Sequence, residues 1–170
     1  MTLRFIIRDE IPEDIDAITD VTISAFENME ISQQTEHFII SALREASALT
    51  LSLVAEIDGL VVGHIAFSPV SISDGTEEWH GLGPVSVRPD LQRQGIGKAL
   101  IWEGLARLRT SDAKGCCLVG HTGYYERFGF ENIASLIHEG VPQEVFFAQS
   151  FDGDFPEGSV TFHEAFTATG

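Results

Sequence analysis

The stretch Gly83-Pro84-Val85-Ser86-Val87-Arg88-Pro89-Asp90-Leu91-Gln92-Arg93-Gln94-Gly95-Ile96-Gly97-Lys98-Ala99-Leu100 constrains the chain more than any other. It reads as a strand, a turn and the start of a helix. Ile96, Leu100, Leu105 and Leu108 then recur at helical spacing, and the compact apolar run Cys116–Val119 follows. Strand, helix and strand in that order make a crossover, the connection that adjacent parallel strands require. At the start of the helix stands Gln92-x-x-Gly95-x-Gly97. Glycines there let backbone approach a ligand closely, and the unpaired N–H groups of a helix N-terminus bind phosphate. Arg93 and Lys98 add positive charge beside them. A Walker A loop would need Gly at position 92 and Ser or Thr at 99, where Gln92 and Ala99 stand. A dinucleotide fingerprint beginning at Gly95 would need glycine at 100, which is Leu100.

Around this crossover the pattern alternates. Leu3 to Arg8 reads as a strand, and Pro12 then suits the first turn of a helix whose inward positions are Ile15, Ile18, Val21, Thr22 and Ala25. Thr35 to Ala48 carries a second helical stripe. Leu51–Ile57 and Leu60–Val70 read as strands joined at Asp58-Gly59, a strong hairpin signal, and Trp79–Arg88 as the next strand. Gly123–Phe128 reads as a short helix closing on Gly129, with final strands at Glu144–Phe151 and Val160–Phe162. The expected order is β-α-α-β-β-β-α-β-α-β-β: a mixed α/β sheet with antiparallel hairpins and one crossover, in a single domain over residues 1–170.

Charge narrows the function. Ten basic and 26 acidic residues give a net charge of −16, which argues against a general binder of nucleic acid or anionic membrane. No apolar run approaches the roughly 20 residues of a bilayer span, and Arg8-Asp9-Glu10 comes too early for a signal peptide. Cys116 and Cys117 are adjacent and cannot staple distant segments, so a cytoplasmic protein is the expectation. From Arg88 to Arg127 seven basic residues meet four acids, a net of +3, which leaves −19 for the remainder. A small anion in the basic segment, and cations drawn elsewhere, are the corresponding ligands. The six histidines show no metal-ligand spacing, and no Gly-x-Ser-x-Gly elbow occurs.

The Gln92–Gly97 turn resembles the acyl-CoA-binding motif of the GNAT superfamily of N-acetyltransferases, Gln/Arg-x-x-Gly-x-Gly/Ala. Gly120-His121-Thr122-Gly123-Tyr124-Tyr125-Glu126-Arg127-Phe128-Gly129-Phe130 resembles the segment after that superfamily's fifth strand, and Gly158–Phe166 resembles the close of a small bacterial subgroup. The resemblance implies a largely antiparallel central sheet flanked by helices, with a splayed strand pair at the acyl-CoA site. It implies acetyl-CoA as cosubstrate, an amine acceptor, and a homodimer as in many relatives; the −19 outside the basic segment favours a cationic acceptor, and the histidine spacing implies no metal. Val85 and Val87 would pair with pantetheine through their backbone, and Gln92, Arg93, Gln94, Gly95, Gly97 and Lys98 would hold the pyrophosphate.

Amine acetylation needs a neutral amine, a positioned thioester and a proton for the departing thiolate. The resemblance assigns that proton to Tyr125, with Tyr124 as the alternative. Glu78 and His80, with Glu77, stand where relatives often place the base, and Glu27, Asn28 and His37 are expected at the amine pocket. Two other functions fit the same residues: an acyl-CoA-binding sensor without turnover, and a transferase of longer acyl chains.

Overall fold

The Asp58-Gly59 hairpin organises the sheet. Both residues take left-handed backbone, φ 49° and 82°, as a two-residue type I′ turn demands. They join β2 (Leu51–Ile57) to β3 (Leu60–Ile72), antiparallel from Leu51 opposite Phe67 to Ile57 opposite Leu60. In this computed structural model, which describes residues 3–30 and 32–170, the strand order is β1-β2-β3-β4-β5-β7. Here β1 is Ile6–Asp9, β4 Trp79–Val87, β5 Gly115–Val119 and β7 Phe146–Ser150. Only β4 and β5 run parallel within that series; the other neighbours are antiparallel. The sheet is thus mixed and mostly antiparallel, as the pattern predicts.

The last residues of β3, Val70–Ile72, pair with β8 (Gly158–Phe162), which in turn holds the two-residue β6 (Leu136–Ile137) in parallel. That partnership explains why β3 extends past Val70. β6 is too short to leave a periodic signal in the sequence. The crossover helix α3 (Ile96–Arg109) buries Ile96, Leu100, Ile101, Leu105 and Leu108, which join Leu53, Ile65 and Phe67 in the main core. A Cβ at Gly104 would collide with the Phe67 ring, so this glycine sets how closely α3 can lie on the sheet. A smaller cluster joins Ile18 of α1 (Ile15–Phe26) and Ile40 of α2 (Glu36–Glu45) to Val54.

α2 stops before Ala48 because Ser47 turns left-handed, φ 56°. The Ala48 N–H then reaches back to the Leu43 carbonyl at 2.8 Å, a Schellman closure. The segment before Gly129 is a 3-10 turn, Tyr125–Phe128, rather than an α-helix.

A partly buried polar chain links β2, β3 and α2. Arg44 donates twice to Glu10, at 3.0 and 2.9 Å. Ser52 hydrogen-bonds Glu10, and its Oγ lies 2.8 Å from His64 Nε2. Burial pulls Glu10 upward, yet Arg44 and Ser52 together hold it below the ordinary carboxylate value. His64 is fully buried, and burial pushes it down to about 4. Between about pH 4 and 6.5 the unfolded chain therefore binds a proton at His64 that the native chain refuses. Stability must fall as pH drops through this window, by about 2 kcal/mol from pH 7 to pH 5 from this residue alone. Urea unfolding at the two pH values measures the loss, and His64→Gln should flatten the slope. An equally steep slope in the variant would place the proton elsewhere.

Candidate active site

The site begins where two parallel strands part. Trp79, His80 and Gly81 of β4 register against Gly115, Cys116 and Cys117 of β5, and the pairing ends there. Beyond Gly81, β4 stays with β3 while β5 follows β7. Leu82 lies opposite Phe67 and Val85 opposite Ile65, so Gly83 and Pro84 stand against the single residue Ala66. This is a bulge, and Pro84 offers the ladder no N–H. From Leu82 to Val87 the far edge of β4 has no strand partner among the described residues.

The gap opens into a cleft of about 1290 Å³. One wall is Leu82, Gly83, Pro84, Val85, Val87 and Gln92; the other is Val119, Gly120, His121, Tyr125 and Val145. Past the strand ends the cleft meets Phe26, Met29, Glu36 and Ile39 of the first two helices and their flanks. It also meets His138, and Phe162, His163, Glu164 and Phe166 near the C-terminus.

The turn after β4 is held from behind. The Gln92 side chain donates to the Val87 carbonyl at 3.0 Å, and Arg88 pairs with Asp90 at 2.7 Å. Arg93 and Gly95 both adopt left-handed backbone, φ 65° and 93°, which swings the chain into α3. The Gly95 carbonyl accepts from Ala99 N–H at 3.1 Å, so the N–H groups of the first helical turn have no partner within the helix. Space lies before them. A Cβ at Gly95 would meet nothing within 4 Å, and one at Gly97 only Val87, at 3.7 Å. Arg93, Gln94 and Lys98 are exposed.

Tyr125 stands on the opposite wall. Its ring lies 5.0 Å from Tyr124, 6.3 Å from Phe128, 6.2 Å from Phe130 and 6.1 Å from Phe147, centroid to centroid. Gly120 makes room for it, since a Cβ there would collide with the phenol ring. Burial, with Tyr124 adding to it, raises the Tyr125 phenol above its ordinary value, so it keeps its proton at neutral pH. The Tyr124 ring instead carries the Arg127 guanidinium, 4.7 Å from its centroid.

Val85, Val87, Gln92 and Tyr125 therefore share one cleft, and Arg93 to Lys98 follow directly from its edge. Glu78 and His80 do not line it. Glu78 sits before the paired part of β4, where its carbonyl accepts the Lys114 N–H at 2.7 Å. His80 lies within the paired part, opposite Cys116, and is buried; burial lowers its affinity for a proton against the pull of Glu78. Glu78 and His80, expected at the position of the base, thus stand outside this cleft, at a depth where the two strands are still joined. Glu27, Asn28 and His37 are likewise outside the lining, although their neighbours Phe26, Met29 and Glu36 are in it. Sequence reasoning missed His138, His163 and Glu164, which only the pairing of β8 with β3 brings to the cleft. Among the described residues no cluster of three or more His, Cys, Asp or Glu could hold a metal ion, and no helix is long and apolar enough to cross a membrane.

Residues 49–132 match the family described as acetyltransferase (GNAT) domain. The chain is 36% identical over 127 residues to the uncharacterized N-acetyltransferase YhbS of Escherichia coli K12, covering 74% of this chain and 73% of that one. A crystal structure of a GNAT family acetyltransferase from Brucella melitensis in complex with acetyl-CoA superposes with a TM-score of 0.86 at 50% identity, over 96% of this chain and 98% of that one. The Escherichia coli YhbS structure in complex with CoA gives a TM-score of 0.89 at 34% identity, over 100% and 96% of the two chains.

Proposed function

The chain belongs to the GNAT superfamily of N-acetyltransferases, and on that premise we propose that it moves the acetyl group of acetyl-CoA directly to a primary amine of a small molecule or protein, within a ternary complex. One observation carries this reading: the unpartnered edge of β4 and the open N-terminus of α3 border the same cleft. A pantetheine arm needs backbone hydrogen bonds along its length, and the β4 edge at Val85 and Val87 offers them. A pyrophosphate needs N–H groups and positive charge, which the turn from Arg93 to Lys98 supplies. Gln92 acts here by fixing that turn to Val87.

With the cosubstrate in place, the amine attacks the thioester carbonyl and a β4 backbone N–H meets the developing oxyanion. The C–S bond breaks, and Tyr125 protonates the leaving thiolate. The acceptor end combines apolar walls at Phe26, Met29, Phe162 and Phe166 with carboxylates at Glu36 and Glu164. A protonated amine carrying an apolar body suits those walls. The excess negative charge outside the cofactor segment draws cations as well.

The test is CoA thiol release from acetyl-CoA with a panel of primary amines, alongside acetyl-CoA binding by thermal melt. Release with at least one amine supports the reading; binding without release for any amine would leave a sensor. Lys98→Ala should weaken acetyl-CoA several-fold at low salt and much less at high salt, because an exposed charge beside the turn acts through screened attraction. An identical loss at both salt concentrations would show that Lys98 does not act as a charge.

A further inference from the structure

We infer that His138, locked by a backbone carbonyl with its Nε2 free, is the base that takes the proton from the acceptor amine; this rests on the transferase reading above. β4 contributes only Leu82, Gly83, Pro84, Val85 and Val87 to the cleft, none of which can move a proton. The proton acceptors of the lining are Glu36, His121, His138, His163 and Glu164.

Hydrogen bonding separates them. The Glu36 carboxylate is already engaged by the Ser32 hydroxyl, at 2.9 and 2.7 Å. Glu164 and His121 are exposed, His121 in the turn after β5. His163 caps the last 3-10 turn: its Nδ1 accepts the Ala165 N–H at 3.0 Å. Neutral His163 thus carries its proton on Nε2 and can only donate there.

His138 has the opposite arrangement. Its Nδ1 lies 2.9 Å from the Val160 carbonyl oxygen, which only accepts, so Nδ1 carries the proton and Nε2 the lone pair. The ring is fixed by Phe162, edge-on at 4.9 Å, and by Phe146 at 5.7 Å. β7 and β8, which pack against it, carry no ionisable side chain. The nearest along these segments are Glu139, Glu144, Glu157, His163 and Glu164.

The step balances. The ammonium gives one proton to Nε2, which passes it to solvent, and the freed nitrogen bonds to the acetyl carbon as the C–S bond breaks. The nitrogen's second proton replaces the one that Tyr125 gives to the thiolate. The product is a neutral amide and free CoA thiol.

His138→Asn keeps an N–H donor for the Val160 carbonyl and deletes Nε2. On a panel of primary amines headed by 2-phenylethylamine, it should lower kcat/KM about 10–50-fold at neutral pH. That is less than a full base deletion, since some amine arrives already neutral. The acidic limb of the pH profile should move upward to the ionisation of the amine itself, and stabilisation by acetyl-CoA should not change. Nitrogen-15 spectra of the histidine side chains in the acetyl-CoA complex should show neutral His138 protonated at Nδ1. Protonation at Nε2, or an acidic limb at the same pH in the variant as in the wild type, would overturn the base. Wild-type failure with every amine would instead overturn the transferase reading, and this inference with it.

Discussion

Gly97→Asp should abolish stabilisation by acetyl-CoA while leaving the free protein folded. Saturating ligand at 100 times Kd adds about 2.7 kcal/mol to the native state by mass action. For a chain of this size that raises the melting temperature by about 5–10 °C. Gly97 lies in the first turn of α3 with helical backbone, and a Cβ there would make only an ordinary contact with Val87, at 3.7 Å. A carboxylate in the first turn of a helix is also favourable to the helix itself. The substitution therefore costs the fold little, whereas the same change at Gly95 would strain a left-handed backbone. What it does disturb is the open space before the unpaired N–H groups. A negative side chain there occupies the place of a phosphate and repels it, so Kd should rise at least about 100-fold, equivalent to 2.7 kcal/mol. Thermal melts with and without acetyl-CoA read both effects at once. A normal melting temperature together with an undiminished ligand shift would remove the pyrophosphate from this turn.

The half of the cleft that this variant probes is also the half written locally in the sequence. Gly95 and Gly97 mark a helix start, Asp58-Gly59 a hairpin, and the spacing of Ile96, Leu100, Leu105 and Leu108 the buried face of the crossover helix. Each is a short-range pattern with one geometric solution. Proline inside a strand implies a bulge or a lost ladder bond, and the structure puts the bulge at Gly83-Pro84. The acceptor half follows a different logic. It exists because Val70–Ile72 at the end of β3 pairs with Val160–Phe162, some 90 positions later, which carries His163, Glu164 and Phe166 toward the first two helices. No periodicity links such distant residues, so His138 and His163 read as isolated histidines. Glu78 and His80 lie outside the cleft for a related reason. Their proximity to the splayed strand in sequence said nothing about the depth at which the strands separate, and that depth is fixed by the register of Gly81 against Cys117.

Tyr125→Phe should lower kcat about 100-fold and leave the KM for acetyl-CoA nearly unchanged. The ring is held by aromatic neighbours on several sides and by the space above Gly120, and phenylalanine keeps all of these contacts. Only the hydroxyl is lost. Burial raises the phenol above its ordinary value, so at neutral pH it holds a proton that it can give. A thiolate leaves fairly well unaided, which sets the effect near the low end for general-acid catalysis. Because the proton moves only as the C–S bond breaks, the hydroxyl contributes little to binding the ground state, and the loss should fall on kcat. Tyr124→Phe is the internal control. Its ring lies under Arg127 and against Tyr125, and that packing survives the loss of its hydroxyl. Steady-state kinetics on the two variants, with melts to confirm folding, separate three outcomes. A selective loss in Tyr125→Phe supports the acid, and wild-type rates in both variants would leave the thiolate to depart without one. A reversal of the two phenotypes would assign the proton to Tyr124, whose phenol is raised by burial but drawn back by the neighbouring Arg127 charge.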